Sequence, residues 1–141
     1  MRSKNKQSVI CHLTSAHSDG DTRIFHKLAV SCAERYQTYF IVPNGNTRIE
    51  NNVQVIGFES AVKSRIQRMK ETVNQVLDEA LKVKADIYHL HDPELLRISK
   101  KLKSINGAKV VFDSHEDVPK QILDKYWIPV LFRKLISKLY S

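Results

Sequence analysis

Three stretches of this chain set histidine beside acidic side chains at points where the backbone is expected to turn. In HLHDPELL, His91, Asp92 and Glu94 follow a run of strand-forming residues. In VVFDSHEDVP, His115, Glu116 and Asp117 follow another. In SAHSDGDTR, His17, Asp19, Asp21 and Arg23 lead into a helix-like segment. A histidine in such a place can hydrogen-bond a hydroxyl or a phosphate, and small changes in its surroundings alter its charge near neutrality. Amides at the start of a helix can bind an anion, with Arg23 supplying charge.

Each of these residues also has a purely structural reading. Asp92 before Pro93 is a common helix start, with aspartate at the N-cap and proline in the first turn. The carboxylates after Asp113 could cap loop amides, and Arg23 could simply be solvated. His89, His91, Asp92, His115 and Glu116 have the side chains of a zinc cluster, but their spacing matches no recognised ligand pattern, so no metal is expected. The first loop lacks GxGxxG and GxxxxGK[ST], with Gly20 as its only glycine. Dinucleotide and P-loop binding are disfavoured, because close backbone approach to phosphate needs those glycines.

The elements that must position these residues follow from periodicity. Strands are expected over residues 8–14, 37–42, 52–58, 86–91 and 108–113, from apolar and β-branched runs bounded by turn signals. Helices are expected over residues 22–35, with a stripe of Ile24, Leu28, Ala29 and Cys32, then over residues 61–84 and 93–104. The alternation indicates a largely parallel sheet with helices on both faces, an α/β Rossmann-like fold in which ligands bind at strand ends. The link between residues 42 and 52 is the weak point, since a parallel crossover usually takes a dozen or more residues. Residues 128–140 form a further amphipathic pattern that is still running near the end, which suggests that the natural sequence continues.

The chain has 141 residues and a net charge of +8, from 23 basic and 15 acidic residues. Its length suits one domain, and its charge favours anionic partners such as phosphate, nucleic acid or an anionic membrane. Cys11 and Cys32 stand alone, which reads as two reduced, packed thiols in a cytosolic protein. No stretch approaches a membrane span or the apolar core of a signal peptide.

Together, HxxxDxRIxxK at His17, Asp21, Arg23, Ile24 and Lys27, then HLHDPELL, then VVFDSHEDVPKQIL, resemble the amino-terminal domain of glycosyltransferase family 4, the retaining GT-B enzymes. The resemblance runs over nearly the whole chain. It implies that residues 1–141 are one Rossmann-like domain on the acceptor side of a two-domain enzyme. The second domain would bind the nucleotide-sugar donor and is not in this chain. It also implies transfer with retention, generally without a metal or other cofactor, and inactivity of this half alone.

By the same resemblance His115 lies close to the transferred sugar, as the catalytic candidate. His17, Asp19, Asp21, Arg23, His91, Asp92, Glu94, Glu116 and Asp117 would line the donor and acceptor cleft. The first loop departs from the family pattern in lacking a Gly-Gly pair, which puts its contact with the donor phosphate in question. Glu71 and Glu79 reproduce the family's Glu-x7-Glu spacing, but on a helix where a charged face explains both. The acceptor would be a glycan or a lipid-linked sugar, and basic residues 63, 65, 68 and 70 would suit contact with an anionic membrane. Nucleic acid is not expected, because aromatic residues interleaved with basic ones on a strand platform are missing. The alternative is a non-catalytic Rossmann-like subunit that supplies membrane or partner binding to a separate catalytic chain.

Overall fold

The structure is a computed structural model that describes residues 6–61, 64–104 and 107–113. His115, Glu116, Asp117 and the amphipathic stretch 128–140 lie outside the described residues. The described part is a six-stranded sheet in the order β3-β4-β2-β1-β5-β6. Its strands are β1 (Val9–Leu13), β2 (Gln37–Pro43), β3 (Arg48–Glu50), β4 (Val53–Phe58), β5 (Ile87–Leu90) and β6 (Lys109–Phe112). Every neighbouring pair is parallel except β3 with β4. Helices α1 (residues 22–33), α2 (residues 65–83) and α3 (residues 93–103) connect the strands. The expected α/β Rossmann-like fold is therefore present.

Strand alternation divides the core into two layers. Cys11 and Leu13 of β1 point to one face, where Val73, Val76, Leu77 and Ala80 of α2 and Leu95, Ile98 and Leu102 of α3 cover them. On the other face Ile24, Phe25 and Ala29 of α1 pack on Phe40, Val42, Val53 and Val55. The α1 stripe differs from the expected one, since Phe25 is buried and Leu28 only partly so. Thr22–Ala29 is wound in wide π-type turns, which align residues five apart, so that Ile24 stacks over Ala29.

The short link between β2 and β4 is resolved by β3, a strand the sequence reading missed. The chain passes over the end of β4, descends along its outer edge as β3, and returns through Asn51 and Asn52, both with positive φ. Two consecutive residues with φ > 0 are the signature of a tight hairpin. The crossing is held where the Asn44 amide donates to the Phe58 carbonyl at 2.6 Å and the Gly57 amide donates to Thr47 Oγ1 at 3.1 Å. A Cβ on Gly57 would lie 1.9 Å from the Gly45 carbonyl oxygen, so only glycine admits this crossing.

The chain moves from β1 outward to β2 and β4, then returns to the opposite side of β1 to lay down β5 and β6. The order reverses between β1 and β5. In open α/β sheets the crevice outside the carboxyl ends of the strands at such a point is where ligands bind.

Candidate functional site at the β1 and β5 strand ends

The residues that leave β1 and β5 meet at this reversal. Asp92 is 5% exposed and takes three contacts from the β1 loop. Thr14 Oγ1 donates to its Oδ2 at 2.6 Å, the Ser15 amide donates to the same oxygen at 2.9 Å, and His17 Nδ1 lies 3.1 Å from Oδ1. Asp92 does occupy the N-cap position of α3, but its side chain makes no cap hydrogen bond. The helix-cap reading of its carboxylate is corrected accordingly: the carboxylate faces the β1 loop, where Thr14, Ser15 and His17 are its partners.

His17 has 33% of its side chain exposed, so the ring links the buried carboxylate to the surface at the strand ends. The Thr14 hydroxyl proton is committed to Asp92, which leaves Thr14 Oγ1 to accept from the His17 and Ala16 amides at 3.0 and 3.3 Å. His17 Nδ1 is also 3.1 Å from that oxygen, and so carries its proton between two acceptors. In the neutral ring Nε2 is then the bare nitrogen, able to accept a proton. Hydrogen bonding to Asp92 raises the His17 pKa from its ordinary value, more than burial lowers it. Burial alone would raise the Asp92 carboxyl, but the hydrogen bonds from His17, Thr14 and Ser15 outweigh it and leave the group below the usual carboxylate range.

Glu94, nearly buried, extends the cluster. It accepts from Ser15 Oγ and, at 2.8 Å, from Arg68 Nε on α2. Arg68 is thus a cleft residue held by an ion pair, where sequence reasoning placed it on a basic helix face. Arg97 of α3 ties the same region together by donating to the Met69 and Lys70 carbonyls at 3.0 and 3.1 Å.

Arg23 pairs with Asp113 just past β6 through Nη1, which is thereby committed, while the side chain stays partly exposed. Asp113 Oδ2 is 3.8 Å from His91 Nδ1. His91 is buried, and it stacks on His89 with ring centroids 4.3 Å apart. His12, from the neighbouring strand, hydrogen-bonds His91 through Nδ1 and Nε2 at 2.9 Å. Burial pushes the pKa of His12 down to about 3 and that of His91 down to about 2, with His89 adding to both. His91 therefore lies beneath the crevice as a neutral ring.

Asp19 and Asp21 do not join the cluster. Asp19 accepts from the Asn46 amide at 2.9 Å and Arg48 Nη1 at 2.7 Å, and so fastens the crossing loop before β3. Asp21 accepts from the Ile24 amide at 2.8 Å as the N-cap of α1, as its position before the helix suggested. Of the expected residues, His17, Asp92 and Glu94 come together, with Arg23 and His91 in the adjoining network. Thr14, Ser15, Arg68, Asp113 and His12 were missed. Thr14 and Ser15 had a signal, since small hydroxyl residues directly after β1 stand at the sheet's ligand-binding edge.

Among the described residues no helix is long and apolar enough to cross a membrane. Comparison of the sequence with protein-family models finds no match, and comparison with curated proteins finds none.

Proposed function

We propose that this chain forms the acceptor-side half of a retaining GT-B glycosyltransferase, its β1 and β5 strand ends making one wall of the transfer cleft. The observation that carries the reading is the His17–Asp92 pair with Glu94 at the point where the sheet order reverses. An imidazole with one nitrogen held by a buried carboxylate and its side chain partly exposed at the strand ends suits the binding of a sugar hydroxyl. The motif resemblance adds the nucleotide-sugar donor, held mainly by a second domain, and His115 beside the transferred sugar. The two free cysteines, Cys11 and Cys32, favour a cytoplasmic location.

The acceptor is a glycan or a lipid-linked sugar. Contact with an anionic membrane is supported by the start of α2, where Ile66 is 52% exposed between the exposed Arg65 and Lys70. Basic and apolar side chains together favour the surface of anionic bilayers. Sedimentation with phosphatidylglycerol vesicles and not with neutral ones checks this, and equal sedimentation with both removes it.

The activity is tested on the full-length protein with UDP-glucose, UDP-N-acetylglucosamine and GDP-mannose, following hydrolysis and transfer with the product anomer read by NMR. The expected result is turnover of one donor with its anomeric configuration kept, reduced strongly by His115→Ala. Unaltered turnover in that variant would remove His115 from the chemistry, and inversion would remove the retaining assignment.

A further inference from the structure

His12, His89 and His91 form a second cluster beneath the crevice. His89 on β5 and His91 directly after the strand point to the same side by the two-residue period, and His12 is the direct cross-strand partner of His89 on β1. Each ring offers a nitrogen, and the three nitrogens lie within 4.8 Å of one another. Two adjacent parallel strands and the residue that follows β5 thus deliver three imidazoles to one small volume. His12 lies within β1, ahead of its last residue Leu13.

Two nitrogens of this cluster are buried and without a hydrogen-bond partner, His12 Nε2 and His91 Nδ1. A buried polar atom left unpaired costs about 1–3 kcal/mol, and two on touching rings call for an occupant. Their other nitrogens satisfy only each other. The rings lie close together, His12 tilted against His89 with centroids 5.1 Å apart and stacked on His91 with centroids 5.2 Å apart. Tetrahedral ligation at Zn–N of about 2.0–2.1 Å sets nitrogens roughly 3.4 Å apart, so ring rotation and about 1.4 Å of closure would make the site.

We infer that His12, His89 and His91 form a binding site for one divalent transition-metal ion, Zn(II) by its ligand chemistry. Imidazole suits borderline ions, and an all-nitrogen set without thiolate or a calcium-type cage of oxygens selects against soft and hard ions alike. Three protein ligands leave a fourth position open, for water or an exogenous donor on the half-buried His89 side. The ion would staple β1 to β5 directly under the crevice. This inference is independent of sugar transfer, which needs no metal in the proposed reading.

The test is titration of the 141-residue chain, free of any affinity tag, with Zn(II) by calorimetry and with Co(II) by visible absorption. The expected result is one saturable equivalent, a Co(II) spectrum of four-coordinate intensity that Zn(II) displaces, and a higher Tm with metal. His89→Ala should weaken binding by at least about tenfold, and His26→Ala, on the exposed side of α1, should leave it unchanged. His89 is only half-buried, so it carries the test even if variants at His12 or His91 fail to fold. No saturable binding, or binding lost in His26→Ala and kept in His89→Ala, overturns the inference.

Discussion

The Asp92 carboxylate begins α3 in sequence yet belongs to the end of β1 in space, accepting the Thr14 hydroxyl at 2.6 Å and the Ser15 amide at 2.9 Å. Through it, two strands that are not sequential neighbours are locked together at their carboxyl ends. Removing the acceptor in Asp92→Ala leaves a buried hydroxyl and amide unpaired. The expected loss is about 2–4 kcal/mol, read as a lower urea midpoint with unchanged slope.

The same pair sets a pH dependence. The folded pKa of His17 lies above its unfolded value of about 6.5, so the stabilisation is complete below that value and is lost as pH rises through the folded pKa. Wild type should exceed His17→Gln in stability more at about pH 6 than at about pH 9. Histidine NMR titration should place His17 above its ordinary value in wild type and lower in Asp92→Asn. An unchanged titration in that variant would dissociate the two residues.

Gly57→Ala and Gly20→Ala should behave oppositely. At position 57 an added Cβ meets the Gly45 carbonyl at 1.9 Å, whereas at position 20 it meets nothing within 4 Å. The first should destabilise by about 1–3 kcal/mol or more, because backbone must shift. The second should stay within about 0.5 kcal/mol of wild type. Thermal unfolding of both variants distinguishes them.

Tyr88→Phe probes the junction of α2 and β5. The buried hydroxyl donates to the Ala80 carbonyl at 2.9 Å and accepts from the Ala85 amide at 3.1 Å, closing the helix where Lys84 takes the left-handed conformation. Its loss should cost about 1–3 kcal/mol and raise hydrogen exchange at the Ala85 amide. Unchanged exchange there would show the amide protected by other means.

Much of this fold was legible because its strands and helices carry clean periods. QTYFIV and NVQVIGF read as strands, and both are. β3 escaped notice since three residues carry no period; its signal was the Asn51-Asn52 turn, where asparagine tolerates positive φ. At the site, His17, Asp92 and Glu94 stood out by residue type and by position at strand ends. Their partners did not, because Thr14, Ser15 and Arg68 are 78, 79 and 26 residues away from the carboxylates they bind. Long-range pairing of that kind is set by sheet order, which local pattern does not encode. His12 interrupts the apolar run of β1, and strand alternation turns it to the face opposite Cys11 and Leu13.

The central claim is that the His17–Asp92 wall handles the acceptor and not the donor. Steady-state kinetics of the full-length protein with a nucleotide-sugar donor separate the two roles, comparing wild type with His17→Ala in transfer and in acceptor-free hydrolysis. Acceptor KM should rise by about tenfold or more, with the hydrolysis rate and donor KM little changed. An unchanged acceptor KM, or a fall in hydrolysis as large as the fall in transfer, would contradict it.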